Sequence, residues 1–229
     1  MSNPWFDTLG VFDLETTGVN VETARIVSAH VGIIDSAGTV LEQWQWLADP
    51  GIEIPEQASA VHGISTERAR QFGRPAAVVV EEIIATLRAL FARGLALTVY
   101  NASYDLSLLH HEALRYGLTP LEDPAPIVDP FVIDKAVDRY RKGKRTLSAA
   151  SLVYGVDLEN AHDASADAIA AGRLAQAIAR LHGDKLPTDV AELHQAQIGW
   201  SAESAASFQD FMRRTKDPDF TTSGAWPLR

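Results

Sequence analysis

The chain predicts an α/β fold, a mixed five-stranded sheet flanked by helices and followed by a helical extension. Three observations lead there. Three β-branched, apolar segments follow one another within residues 9–47, with period-two character and no helical periodicity between them. From residue 76 onward, amphipathic helical stretches alternate with short apolar runs. The 229 residues, 46% of them hydrophobic, suffice for one large core with an extension. Antiparallel strands first and β-α alternation afterwards are the pattern of a mixed sheet.

Residues 9–15 read as the first strand and Thr16-Thr17-Gly18 as its exit. Residues 24–34 form the second, Asp35 to Gly38 a turn, and Val40 to Leu47 the third, with Trp44 and Trp46 packing on one face. Ile52 to His62, interrupted by Pro55, reads as a loop. Ser65 is placed to cap a short helix with Glu67 in its first turn. Over 76–93, Val79, Val80, Ile83, Ile84, Leu87, Leu90 and Phe91 make one apolar stripe, and Gly94 stops the helix. Residues 95–100 form a buried strand, and Ser103 caps the next helix, which ends at Gly117. A short strand at 126–129 precedes helices at about 130–140, 146–154 and 164–182. The character changes after Gly183, which divides the chain into residues 1–183 and 184–229. A polar helix over 188–215 is expected to fold back on the core, with the last residues loose.

Composition narrows the function. The absence of cysteine excludes a disulfide framework and a thiolate metal site. No basic-then-apolar leader opens the chain and no run approaches a membrane span, so a cytoplasmic protein is expected. A net charge of −10 argues against broad, non-specific duplex binding, which needs a basic surface. It leaves room for a nuclease whose small cleft holds a strand end.

Chemistry is concentrated in a few acids. Asp13 and Glu15 close the first strand, and their spacing sends both to one face. Two adjacent carboxylates repel and are expensive to bury, a cost that a divalent cation removes. Carboxylate oxygens suit Mg²⁺ or Mn²⁺. The pattern alone is weak, because a D-x-E triplet is expected roughly once by chance in such a chain. A second, Asp157-Leu158-Glu159, follows Gly155 with no strand leading into it and reads as a solvated turn. Asp105 lies just inside a helix that follows a buried strand, at the sheet edge where Asp13 ends its own strand. A first-turn aspartate favoured by the helix dipole is the plain alternative. His162 falls in an entry loop and Asp167 begins an alanine-rich helix face. His30 and Asp35 repeat the H-x₄-D spacing, but odd spacing on a strand sends them to opposite faces.

Taken together, Asp13, Glu15, Asp105, His162 and Asp167 resemble the DnaQ-like 3′–5′ exonucleases in order, spacing and context. The similarity is to the branch with four acidic ligands and a histidine base (DEDDh), as in the epsilon-subunit-like exonucleases of DNA polymerase III. The carrying motifs are Phe12-Asp-Leu-Glu-Thr-Thr-Gly18, Asn101-Ala-Ser-Tyr-Asp105 and His162-x₄-Asp167. Val61-His-Gly-Ile-Ser65 and Leu147 to Val156 add to it, and the resemblance covers roughly residues 8–182. It implies a ribonuclease-H-like fold and a metal-dependent exonuclease cutting 3′ ends of single-stranded DNA to nucleoside 5′-monophosphates, in proofreading or repair. It implies two Mg²⁺ ions, with Mn²⁺ able to substitute. Asp13 would bridge them, Glu15 and Asp167 would complete the ion that activates water, and Asp105 would serve the second. His162 would be the general base, since an imidazole titrates near neutral pH.

Weaker assignments follow from the same resemblance. Thr16 is expected at the terminal 3′-hydroxyl, Leu14 and Val61 with His62 at the terminal base, and Tyr104 against the penultimate nucleotide. Asn101 is expected to stabilise its loop. Arg139, Arg141, Lys142, Lys144 and Arg145 form the densest basic segment and are candidates to steer phosphates, with a solvated basic loop as the alternative. The extension is a candidate for self-association or for binding a polymerase. Two other readings stay open: an exoribonuclease of the same branch, since the motifs do not distinguish sugars, and a non-catalytic module binding nucleic acid or a partner.

Overall fold

In the computed structural model, which describes residues 4–158 and 161–229, the strands assemble into one mixed sheet. The strands are β1 (Leu9–Thr16), β2 (Ile26–Ile34), β3 (Val40–Asp49), β4 (Arg74–Pro75), β5 (Ala96–Thr98) and β6 (Ile127–Val128). Their order is β4-β3-β2-β1-β5-β6. β1, β2 and β3 pair antiparallel, whereas β5 joins β1, and β6 joins β5, in parallel. The helices are α1 (Glu56–His62), α2 (Thr66–Phe72), α3 (Ala76–Ala92), α4 (Ala102–Arg115), α5 (Pro130–Val137), α6 (Leu147–Tyr154), α7 (Ala164–His182) and α8 (Val190–Thr215).

The central strand divides the core in two. Phe12 and Leu14 face a cluster with Ile83 and Leu87 of α3 and Leu108 and Leu109 of α4. Leu9 and Val11 face the other way, into a cluster with Ala168, Leu174 and Ile178 of α7 and Ile133 of α5. Period-two alternation on one side and helical stripes on the other are therefore both satisfied. Trp46 is buried beside α3, with its indole N–H on Glu82, and Trp44 packs at the edge of the same cluster.

Four expectations need correction. The sheet has six strands, because Arg74–Pro75 pairs with Ala48 and Asp49 at the edge. Two residues ending in proline carry no alternating pattern to read. Part of the supposed loop at Ile52–His62 is helix α1, with Pro55 at its N-cap position and Gly63 in the left-handed conformation at its end. Helix α4 starts at Ala102 after Asn101 in the left-handed conformation, so Ser103 is inside the helix and does not cap it. The last residues are not loose. Trp226 is buried and donates its indole N–H to Asp129 Oδ2 at 3.1 Å, and the Arg229 N–H reaches Ser107. The second D-x-E triplet lies partly outside the described residues, since Glu159 is not among them; Asp157 is exposed.

Helix α8 does fold back, and it closes the sheet. β6 has a neighbour on one side only, and α8 covers its free edge with side chains. His194 Nδ1 accepts the Ile127 N–H at 3.1 Å, Gln197 Oε1 accepts the Asp129 N–H at 2.7 Å, and Gln197 Nε2 donates to the Ile127 carbonyl at 2.9 Å. Gln197 is fully buried. Gln197→Ala would strand a buried N–H and a buried carbonyl, and should cost about 2–4 kcal/mol, read as a lower urea midpoint with an unchanged slope. A midpoint equal to wild type would show that α8 only leans on the edge.

The basic segment is also partly structural. Asp134 is fully buried and accepts from Arg141, Arg145 at 2.7 Å and the Tyr154 hydroxyl at 2.9 Å. Arg141 and Arg145 are thus held in a buried ion-pair cluster and are not free cations of a solvated loop. Arg139, Lys142 and Lys144 remain exposed.

Candidate active site

The site is built where β1 outruns its parallel neighbour. Pairing with β5 ends at Val11 and Thr98, so the β5 side of β1 is open beyond that point. Asp105, in the first turn of α4, fills the gap: its Oδ1 accepts the Leu14 N–H at 3.2 Å. Strand alternation places Asp13 and Glu15 on the α7 side, with Val11. Helix α7 comes close because of Gly172. A Cβ there would lie 2.5 Å from Val11 Cγ1 and 2.6 Å from Ile34 Cδ1. Asp167 is a little over one turn before this contact, which carries its carboxylate over the end of β1.

The result is a cluster in which one oxygen each from Asp13, Glu15 and Asp167 lie within 4.8 Å of one another. Asp105 is a neighbour outside this tight group, close enough to act on the charge of Asp13. Burial, followed by repulsion from Asp105, Asp167 and Glu15, holds the Asp13 carboxyl well above its ordinary range. Burial, followed by repulsion from Asp167, Asp105 and Asp163, pushes Glu15 up to about 8. Burial also raises Asp105 and Asp167, the latter partly relieved by the His162 N–H, which donates to Asp167 Oδ2 at 3.2 Å. Among the described residues, none of the four carboxylates is in an ion pair. Asp167 Oδ1 is buried without a hydrogen-bond partner. An oxygen-only set with excess negative charge and a free lone pair fits a hard divalent cation.

Histidines surround this cluster in different roles. His162, just before α7, is exposed and has a backbone φ of 72°. The His62 ring, at the end of α1, lies beside the Thr16 backbone and the His162 ring, and burial lowers its pKa. Helix α1, unread in the sequence, thus brings His62 to the rim; Val61 beside it is exposed. His30 stands opposite Asp13 in the β1–β2 register. It is fully buried, its ring nitrogens have no partner, and burial pushes its pKa down to about 4. It forms a neutral floor beneath the acids. Asp35 is occupied in the following turn by the N–H groups of Ala37 and Thr39.

The remaining expected contacts divide. The Tyr104 hydroxyl donates to the Gly18 carbonyl and is 2.6 Å from Thr16 Oγ1, which donates to the same carbonyl. Tyr104 and Thr16 therefore lock the strand exit beside the cluster. The Leu14 side chain is only 6% exposed and packs in the opposite core, so what it visibly supplies is its N–H to Asp105. Asp129 reads in the sequence only as the end of a short strand, with no role assigned. It is buried and accepts from the N–H groups of Asn101 and Ala102, each at 2.9 Å, as well as from Phe131 and Trp226. By gripping the start of α4 it positions Asp105. Its place immediately before Pro130 is a helix N-terminus signature that was available to be read.

Comparison with known proteins agrees with this geometry. The family model described as Exonuclease (RNase_T) matches residues 11–175. The PolC-type DNA polymerase III of Lacticaseibacillus paracasei is 28% identical over 169 residues, covering 73% of this chain and 11% of the polymerase. The PolC-type enzyme of Ureaplasma parvum is 25% identical over 164 residues, covering 71% and 11%. This chain thus spans about a ninth of the length of these relatives. Among solved structures, E. coli exonuclease I in its zinc-bound complex with single-stranded DNA superposes with a TM-score of 0.67. Identity there is 19%, over 78% of this chain and 42% of that one. Exonuclease I from Methylocaldum szegediense gives a TM-score of 0.62 at 19% identity, covering 76% and 40%. These likenesses confirm the ribonuclease-H-like exonuclease fold. No helix among the described residues is long and apolar enough to cross a membrane.

Proposed function

The chain belongs to the Exonuclease family, and from that premise we propose that it removes nucleotides one at a time from the 3′ end of single-stranded DNA. The observation that carries this reading is the uncompensated carboxylate cluster of Asp13, Glu15 and Asp167, with Asp105 beside it and His162 at its mouth. Asp13, Glu15 and Asp167 would hold one divalent cation, and Asp13 with Asp105 would serve a second, Mg²⁺ or Mn²⁺. When bound, such ions would neutralise phosphate charge and make water a stronger nucleophile.

The chain's own groups then have definite tasks. His162 takes a proton from the attacking water, whose oxygen bonds to phosphorus in line with the departing 3′-oxygen. The bond between phosphorus and that oxygen breaks, the 3′-oxygen gains a proton, and the released nucleotide keeps a 5′-phosphate. Tyr104 fixes Thr16 for contact with the terminal 3′-hydroxyl, while Val61 and His62 border the terminal base and Leu14 serves through its N–H to Asp105. Asp129 holds Asp105 in place through α4. Residues 1–183 carry this machinery, and 184–229 form the extension. A role in proofreading or repair, alone or beside a polymerase, is in keeping with the relatives being PolC-type polymerases.

The test is a parallel assay on 5′-labelled DNA and RNA oligonucleotides of matched sequence, with Mg²⁺, Mn²⁺ or chelator. A stepwise ladder on DNA, mononucleotide release and loss of activity in chelator are expected. Faster degradation of the RNA would move the reading to an exoribonuclease. Degradation of neither by a folded preparation would leave only a binding module.

A further inference from the structure

A groove between α5 and α8 has the chemistry of a single-strand track. It is about 650 Å³ in volume and shares the wall residues Lys135, Trp200, Ser204 and Phe208 with an adjoining second cavity of about 180 Å³. The second cavity reaches Asn101 and Ser103 at the start of α4. The next residues of that helix, Tyr104 and Asp105, touch Thr16 and the Leu14 N–H in the candidate active site. Arg229 lines the same end and lies near enough for its charge to act on the Tyr104 hydroxyl. The inner cavity therefore ends at the first turn of α4, the turn that carries Asp105.

Its walls differ from the rest of the surface. Among the described residues, Lys135, Arg139, Arg145, Arg214 and Arg229 line it, Arg145 already paired with Asp134, with Glu203 as the one acid on the outer wall, in a chain whose net charge is −10. Asp129, the acid at the inner end, is buried and saturated by N–H donors. Interleaved with the cations are exposed aromatic faces: Tyr140 at 88%, Phe208 at 50% and Phe211 at 49%. Lys135 already sits over one ring, with Nζ 3.8 Å from the Phe131 centroid. A positively charged groove with exposed aromatic rings is how single strands are held without sequence preference.

We infer that this groove, built jointly by α5 and α8, is the binding track for the single-stranded nucleic acid upstream of the bond being cut. The inference rests on the proposed function and deepens it: α8 becomes a substrate-binding element that makes longer strands better substrates. A dinucleotide is too short to reach from the carboxylates along the groove, whereas a twelve-nucleotide strand is long enough to enter it.

The experiment compares kcat/KM for dT12 and for the dinucleotide dTpdT in the full chain and in two double variants, F208A/F211A and R139E/R214E. In parallel, anisotropy of labelled dT12 is measured with chelator present, so that nothing is cut. The wild-type preference for dT12 should fall on the order of tenfold or more in each variant, through lost base stacking in F208A/F211A and lost phosphate contacts in R139E/R214E. In R139E/R214E the slope of log affinity against log salt should flatten by at least about 1.4, two phosphate contacts being lost. Phe208 also packs edge-to-face on Phe220, so thermal unfolding is recorded, and the arginine pair keeps the test decisive if the aromatic variant unfolds. Length preference and affinity unchanged in the arginine variant would overturn the track and leave this face to a protein partner. If wild type cuts neither substrate, the proposed function fails, while the anisotropy still decides the track.

Discussion

Asp13→Asn should lower nucleotide release by on the order of a thousandfold or more while making the metal-free protein more stable at pH 8. The first effect follows from removing the carboxylate shared by both proposed cation positions, where several kcal/mol of charge stabilisation are at stake. The second follows from electrostatics of the chain alone. Asp13 is crowded by Asp105, Asp167 and Glu15 in a buried setting, and its carboxyl is held well above its ordinary range. Glu15 is raised to about 8. Groups with folded pKa values above their unfolded values contribute stability that is complete below about pH 4 and is lost as pH rises through the folded values. The metal-free wild type should therefore melt at progressively lower temperature from about pH 5 to above pH 8. Asparagine keeps the shape, removes one charge and should flatten that decline. Mg²⁺ at pH 8 should restore the wild type through linkage and act much less on the variant. Melting curves with and without Mg²⁺ across this range check it. A variant less stable than wild type at pH 8, with an undiminished response to Mg²⁺, would falsify the charge-cage account of the cluster.

That cage was largely legible because its parts obey local rules. Asp13 and Glu15 follow strand alternation, Asp105 follows a strand-to-helix turn, and Asp167 opens a helix whose packing face, Ala168, Ala171, Leu174, Ala175 and Ile178, is buried as read. What was not legible depends on partners distant in sequence. Arg141 and Arg145 look like a solvated basic run until Asp134 is seen beneath them. No spacing rule links Trp226 to Asp129, or Gln197 to the edge of β6, and both contacts close parts of the structure that local signals leave open. Helix α1 was hidden by Pro55, read as a loop marker, although proline is well tolerated where a helix begins. The closeness of α7 to β1 turns on Gly172, whose missing side chain has meaning only once Val11 and Ile34 are beneath it. The sequence thus names the reacting groups, while the tertiary structure supplies what holds them: Asp129 for α4, Gly172 for α7 and α8 for the sheet edge.

His162 offers the sharpest separation of chemistry from scaffold. Its backbone N–H supports Asp167, while its side chain is exposed at the mouth of the cluster. Its φ of 72° makes the choice of replacement decisive, because most residues are strained there whereas asparagine and glycine are tolerated. His162→Asn keeps the loop and the N–H and removes the base. It should lower kcat by about 10²–10⁴-fold and leave KM and Mg²⁺-induced stabilisation near wild type. His162→Gly preserves the same backbone and opens space for a soluble base, so added imidazole should recover part of its rate and should do nothing for Asp13→Asn. A merely structural histidine would behave differently. Both substitutions would then move Mg²⁺ stabilisation and KM together, and imidazole would rescue neither. Rescue confined to the glycine variant would place the proton transfer on the ring and assign the support of Asp167 to the backbone alone.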